Sequence, residues 1–359
     1  MFNFFKKTIF GLNISDYSIK IISLEDPIKE PKLLAMGGEI LEPGIIKSGK
    51  IIDKKRFEII LRSLVEGLKF GKTKTGKLIF TLPESKTFIH FFELPKALGR
   101  EKMKKEIELQ AINNFPFSLS ELYFDSRVRN KGVLLAAIQK DIVEDYLEIF
   151  KKLKLWPIVL ETESMSLARA LIGESQNTIL ITDIGARTTN FSIFTENFLK
   201  LSISIDIAGD KFSQVLMEKL SIPFQEAENM KKEIGLDPEK KEGKVFLILQ
   251  KEIQEITSEI KKIEEYFQNK SGKVIEKIIL TGGSAALPYL TEYFTENLEK
   301  PISVGDPWNK INIDILKTKE YFKEAQKVNP ILYTTAIGSA LRGLMKNPKM
   351  IEINLLPKN

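Results

Sequence analysis

Two short polar turns, Asn13-Ile-Ser-Asp-Tyr-Ser18 and Asp183-Ile-Gly-Ala-Arg-Thr188, are each entered from one apolar run and left by another. Aligned, Asn13 falls on Asp183, Ile14 on Ile184, Ser15 on Gly185 and Ser18 on Thr188. Such a strand–turn–strand unit presents backbone N–H groups, hydroxyls and a carboxylate or amide, the groups that wrap a polyphosphate and its metal ion. Two ordinary hairpins would read the same way. A third segment, Lys277-Ile-Ile-Leu-Thr-Gly-Gly-Ser-Ala-Ala-Leu287, reads as a buried strand, a Gly-Gly turn and a helix beginning after Ser284. Glycines there let the backbone pass close to a flat ligand such as adenine or ribose. The order turn, turn, strand–Gly-Gly–helix is more specific than any one of its parts.

Other chemistries are excluded by composition. The chain has no cysteine and a single histidine, His90, so disulfides, thiol nucleophiles, zinc–thiolate sites and any Ser-His-Asp triad not using His90 are ruled out. His90 lies in a strand-like run, Lys86-Thr-Phe-Ile-His-Phe-Phe92, and reads there as a structural residue. The formal charge of +6, from 54 basic and 48 acidic residues, is spread with signs interleaved. That disfavours nucleic acid as a partner and leaves a weak attraction to an anionic membrane surface. No apolar run is long enough to span a bilayer, and Met1–Lys7 reads as a lead into the first strand or a short interfacial contact.

The elements that must position these turns follow from periodicity. Strand-like runs occupy 8–12, 18–24, 77–82, 133–138, 178–183, 190–194, 200–206 and 274–280, and the run 200–206 alternates with Leu201, Ile203 and Ile205 on one face. A helix is predicted over 250–269, with Ile253, Ile256, Ile260, Ile263 and Phe267 at steps of three and four. That stripe suits a helix packed on a sheet or a coiled-coil seam. Segments 71–76 and 235–243 read as surface connections. With 359 residues, an α/β chain of this kind needs two or more subdomains.

The two turns, the Gly-Gly segment and much of the remaining length resemble the actin-like ATPase superfamily, and within it the PilM family of type IV pilus assembly, relatives of the division protein FtsA. The resemblance extends to Glu106-Ile-Glu-Leu-Gln-Ala-Ile-Asn-Asn-Phe-Pro-Phe117, Leu134-Leu-Ala-Ala-Ile-Gln-Lys-Asp141, the segment Pro157–Leu171 and Tyr333-Thr-Thr-Ala-Ile-Gly-Ser-Ala-Leu-Arg-Gly-Leu344. It implies an α/β, ribonuclease H-like duplicated fold with two similar subdomains around a nucleotide cleft. Subdomain 1A would comprise 1–84, 156–177 and 330–359, with 1C inserted at 85–155; 2A would comprise 178–210 and 274–329, with 2B at 211–273. ATP and Mg²⁺ would be the cofactors. By the same resemblance Asp183 would hold the metal, directly or through water, and Gly185, Thr188, Thr189 and Asn190 would line the phosphates with Arg187 as an added cation. Asn13, Ser15, Asp16, Tyr17 and Ser18 would form the first loop, with Lys20 on a phosphate. Gly209 and Asp210 would approach the ribose and phosphates, Glu228 and Lys231 the nucleoside, and Gly282, Gly283 and Ser284 the adenine. Glu228 and Lys231 also suit a solvated helical face.

The first loop departs from the family pattern of Asp-Ile-Gly. Asn13 removes a negative charge, Ser15 replaces a glycine expected to hold a positive φ, and Asp16 adds a carboxylate where phosphate is expected. Nucleotide binding with weak or absent hydrolysis follows. Glu163 falls where the superfamily orients the attacking water, and it equally suits an acidic residue favoured at a helix N-terminus.

The implied function is a cytoplasmic scaffold, peripheral to the inner face of the cytoplasmic membrane. It would bind the cytoplasmic N-terminal peptide of a PilN-like membrane protein in a groove between 1A and 1C, and could contact pilus motor or platform proteins. An FtsA-like filament former is the alternative; a sugar kinase would need a catalytic carboxylate and sugar pocket that are not recognisable. The segment Ile353-Asn354-Leu355-Leu356-Pro357 resembles the PilN peptide itself. It could fill its own groove, fill a neighbour's and so drive self-association, pack as a last strand on 1A, or fray.

Overall fold

The computed structural model describes residues 8–25, 30–94, 98–350 and 352–358. The interfacial contact considered for Met1–Lys7 lies outside these residues. The chain forms two compact units, Met1–Ile172 with Pro307–Asn359, and Gly173–Asp306.

In the first unit, β1 (Phe10–Ile14) pairs antiparallel with β2 (Ser18–Glu25), which pairs in turn with β3 (Lys32–Ile40). A small hairpin, β4 (Ile46–Lys47) and β5 (Lys50–Ile51), precedes α1 (Lys54–Glu66). The Asp53 side chain accepts from the Arg56 amide to start α1, and Phe57, Leu61 and Leu64 bury one stripe of it. After β6 (Phe70–Gly71), β7 (Lys77–Leu82) returns parallel to β1. An excursion follows: β8 (Thr87–Glu93), α2 (Arg100–Asn114), β9 (Leu122–Arg129), β10 (Gly132–Gln139) and α3 (Lys140–Lys152). Its three strands form a separate sheet in the order β8-β10-β9, with its own core including Ala111, Phe115, Val133 and Leu135. Then β11 (Trp156–Thr162) completes the main sheet, order β11-β7-β1-β2-β3-β6, and leads into α4 (Glu163–Leu171).

The second unit repeats this plan. β12 (Thr178–Ile184) pairs antiparallel with β13 (Thr189–Thr195), followed by β14 (Phe198–Ile205), α5 (Gly209–Leu220), α6 (Phe224–Ile234) and α7 (Lys244–Ser271). β15 (Lys277–Thr281) then runs parallel to β12, and α8 (Leu290–Leu298) and β16 (Ile302–Val304) complete a sheet in the order β14-β13-β12-β15-β16. The duplication holds at single-residue register: Asn13 sits opposite Lys20 in one hairpin, and Asp183 opposite Asn190 in the other.

The chain returns to the first unit through α9 (Phe322–Ala325) and α10 (Thr334–Leu344). Small residues set how closely α10 docks. A Cβ on Gly11 of β1 would stand 2.1 Å from the Ala336 carbonyl oxygen, and one on Gly338 would stand 1.8 Å from that of Ser166 in α4.

Two expectations need correction. α7 begins earlier than expected, and its apolar stripe is buried within the unit. The alternation expected of 200–206 holds in β14, where Leu201, Ile203 and Ile205 pair with Ile193, Phe191 and Thr189; a bulge leaves Lys200 as the extra residue, and only Leu199 is fully covered at this sheet edge. No α-helix follows Ser284 directly. Gly283–Ala286 make a 3₁₀ turn, and Pro288 forces Leu287 to extended backbone, so α8 waits until Leu290.

Candidate functional site

The first loop caps the β1–β2 hairpin, closed by the Ser15 amide donating to the Ser18 carbonyl at 2.9 Å. Ser15 does not adopt a positive φ, and neither does its counterpart Gly185, so the strain expected of serine here is absent. The Ser15 hydroxyl instead accepts from the amides of Tyr17 and Ser18, at 3.3 and 3.1 Å. Asp16 also differs from expectation. Its carboxylate takes the amides of Ser48 and Gly49, at 2.6 and 2.8 Å, and so holds the β4–β5 turn.

Asn13, buried at the end of β1, donates from Nδ2 to Thr81 Oγ1 and to Glu163 Oε1, both at 3.1 Å. The other Glu163 oxygen accepts from the Glu84 amide at 3.1 Å, and the Glu84 carboxylate accepts from the Ser164 amide at 3.0 Å. This reciprocal pair ties the end of β7 to the first turn of α4. Neither Thr81 nor Glu84 was singled out from sequence. An amide suits position 13 because it donates to Glu163, where a carboxylate could not. Asn13→Asp should therefore lower stability by about 1–3 kcal/mol at pH 7 in metal-free buffer. Two carboxylates at that separation cannot both ionise, so the folded state retains a proton that the unfolded state releases. The loss should shrink as pH falls through the raised pKa. Urea unfolding at pH 7 and 5 checks this, and an equal loss at both would discard it.

Lys20 lies opposite Asn13 on β2, its ammonium 5.3 Å from the centre of the Tyr333 ring. Burial lowers its pKa, and nearby Glu39 offsets this in part. Among the described residues its ammonium has no hydrogen-bond acceptor.

In the second unit the expected residues converge. Gly185 closes its turn by donating to the Thr188 carbonyl at 3.0 Å. The carbonyls of Gly185 and Ala186 accept from the amides of Gly209 and Asp210, at 3.1 and 2.8 Å, which fastens the loop to the first turn of α5. Ser284 Oγ also donates to Gly185, at 3.2 Å. A methyl on Gly209 would meet Ser284 Oγ at 2.7 Å and Lys231 Nζ at 3.4 Å. Lys231 is buried and donates to the Gly209 carbonyl at 2.8 Å and to Glu228 at 2.6 Å. It is no solvated face. Burial works against charge on Glu228, but hydrogen bonds from Lys231, Ser213 and Lys232 hold its carboxyl down to about 2.

Gly282 has φ +85°, and a Cβ there would fall 2.5 Å from Asp183 Oδ1. The Asp183 carboxylate thus rests against the bare turn. Other expected residues point elsewhere. Thr189 is fully buried and donates to the Ile207 carbonyl at 2.6 Å, while buried Asn190 accepts from Ser204 at 2.7 Å. Both brace β13 and the loop from behind. Arg187 and Gly283 are exposed.

The donor set suits a nucleotide: the Asp183 carboxylate, the Ser284 hydroxyl and the Lys231 ammonium gather around the Gly185 turn, and Gly209 and Gly282 are bare because a Cβ at either would collide with Ser284, Asp183 or the Ile184 carbonyl. Among the described residues no group of three or more His, Cys, Asp or Glu could cage a metal. Magnesium held mainly by phosphate and water needs only a carboxylate such as Asp183.

A second site lies on the first unit, where residues 352–358 lie against β11, the edge of the main sheet, and β9 of the three-stranded sheet. The Leu355 amide donates to the Leu160 carbonyl at 2.8 Å, and the Leu160 amide donates to Asn354 Oδ1 at 3.1 Å. The Asn354 amide donates to Asp125 of β9 at 2.9 Å. Ile353 and Leu355 are fully buried. One main-chain hydrogen bond to the sheet edge, a side-chain bond from Asn354 and alternate buried side chains are features by which a docked peptide is held. Behind it, fully buried Arg342 of α10 donates to Glu161 at 2.6 Å and to the Ile353 carbonyl at 2.9 Å. Arg169 of α4 pairs with Glu161 at 2.9 Å and with Glu352. Sequence reading missed Asp125, Glu161, Arg169 and Arg342; they lie on four elements, and no spacing links them.

A family model described as type IV pilus assembly protein PilM matches residues 11–344. Among solved structures, one titled PilM-PilN type IV pilus biogenesis complex superposes with a TM-score of 0.79 at 20% identity, covering 94% of this chain and 98% of that one. MreB5 of Spiroplasma citri bound to ADP gives 0.55 at 13% identity, covering 93% and 95%. The cell division protein FtsA of Pseudomonas aeruginosa is 25% identical over 210 residues, 53% of this chain, which spans about half (48%) of that relative's length. The fold is that of the actin-like ATPases, as expected.

Proposed function

Because the chain belongs to the PilM family of type IV pilus assembly proteins, we propose that it is a nucleotide-binding scaffold of pilus assembly that captures an extended peptide from a PilN-like membrane protein. The observation that carries this reading is the groove beside β11, which accepts an Ile-Asn-Leu-Leu-Pro segment with both backbone and side-chain recognition. Such a scaffold would work at the cytoplasmic face of the inner membrane, reaching it through its partner. No helix among the described residues is long and apolar enough to cross a membrane.

ATP with Mg²⁺ is the proposed ligand. The second unit would supply Asp183 for the metal, Gly185 and Thr188 for the phosphates, and Gly209, Lys231 and Ser284 for the nucleoside. Bound ATP would bring the charge these groups balance. The inserted pieces would span 85–155 for 1C and 211–273 for 2B. Slow or absent hydrolysis is supported by Glu163, whose two oxygens already accept from Asn13 and the Glu84 amide.

Two measurements test the reading. A PilN-like N-terminal peptide should be retained by the chain on a column, and loss of the 352–358 segment should increase retention. Phosphate release should stay well below about 1 s⁻¹, the lower end of ordinary turnover. Faster release would overturn the scaffold reading in favour of an ATPase.

A further inference from the structure

The occupant of the groove is held by charge at both ends. At one end Glu352 pairs with Arg169, whose side chain is 7% exposed, and lies 3.8 Å from Arg342. At the other, Lys358 Nζ reaches Asp125 Oδ1 at 2.9 Å, and Asp125 is 5% exposed. Between them Ile353 and Leu355 are buried, and Asn354 bonds Leu160 and Asp125. Apolar burial alone would tolerate either strand direction or a shifted register. A guanidinium at one end and a carboxylate at the other reject both, because a reversed peptide would bring like charges together.

Resting on the reading of this groove as a peptide site, we propose that Arg169 and Asp125 are its specificity determinants. They select an acidic residue two positions before the groove-bonded asparagine and a basic residue four positions after it, and the occupant so selected is this chain's own 352–358 segment. Each determinant keeps a second ion-pair partner, Glu161 at 2.9 Å for Arg169 and Arg127 at 2.8 Å for Asp125. The groove therefore stays pre-formed when the segment leaves.

Hydrogen exchange on the full chain tests this. In the natural chain the amides of Asn354, Leu355 and Leu356 should be protected. In Glu352→Lys their protection should fall roughly tenfold or more, since a cation would face two guanidiniums, while amides of β1 and β7 keep theirs and report an intact fold. A free peptide copying residues 350–358, added to the Glu352→Lys chain, should restore protection of the Leu160 amide; the same peptide carrying Glu352→Lys should not. Unchanged protection in Glu352→Lys overturns the charge selection and leaves the groove as a peptide site. Free exchange of the segment in the natural chain overturns the peptide reading, and this proposal with it.

Discussion

A chain carrying Arg342→Met should lose about 3–5 kcal/mol of unfolding free energy at pH 7. Arg342 and Glu161 are both fully buried and meet at 2.6 Å. Taking either charge from water is costly, and their mutual attraction with the added hydrogen bonds offsets that cost. Burial opposes charge on Glu161, yet the guanidiniums of Arg169 and Arg342 hold its carboxyl down to about 2. Without Arg342, Glu161 keeps only one cation, and the carbonyls of Pro348, Glu352 and Ile353 each lose a charged donor. Adding Glu161→Met should recover part of the loss, because the two residues act as a unit. The pH dependence has a definite sign. A depressed carboxylate pKa stabilises fully above the unfolded-state value of about 4.5 and ceases to as pH falls toward about 2. The gap between natural and variant chains should therefore narrow in that window. Urea unfolding across pH checks both points; a loss below about 1 kcal/mol at pH 7 would show that Arg169 alone suffices.

Gly282→Ala should weaken nucleotide binding by at least about tenfold, with a stability loss on the order of 1–3 kcal/mol. At φ +85° any Cβ is strained, and here it would also sit 2.5 Å from both Asp183 Oδ1 and the Ile184 carbonyl oxygen. Backbone cannot yield as a flexible side chain can. The turn or the carboxylate must shift, and Asp183 is the residue proposed to hold the metal. Titration with a fluorescent ATP analogue, with and without Mg²⁺, reads the effect. An unchanged affinity in both conditions would remove Asp183 and the Gly282 turn from the nucleotide site. Ser15, the counterpart of Gly185, offers a contrast: it is free of positive-φ strain and its hydroxyl accepts from the Tyr17 and Ser18 amides, so Ser15→Gly should relieve nothing and lower stability by about 1 kcal/mol.

What the residues determined by themselves was whatever depends on local order along the chain. The two hairpins, the strand before Gly282 and the apolar stripe of α7 are contiguous patterns, and the alignment of Asn13 with Asp183 holds because both hairpins keep one register. Tertiary structure decided which polar atoms are already spoken for. Asp16, expected to repel phosphate, is consumed by the Ser48 and Gly49 amides, more than thirty residues away in the chain. Glu163 is consumed by Asn13 and Glu84, from two other strands' ends. The cation–carboxylate cluster of Glu161, Arg169, Arg342 and Glu352 arises only when α4, α10, β11 and the final segment meet. A motif states which groups a turn can present, but hydrogen bonds and buried charges are satisfied by whatever lies nearest in space. The segment 353–357 shows both halves of this: its sequence resembles a partner peptide but leaves open where it goes, and packing alone placed it on its own β11 edge.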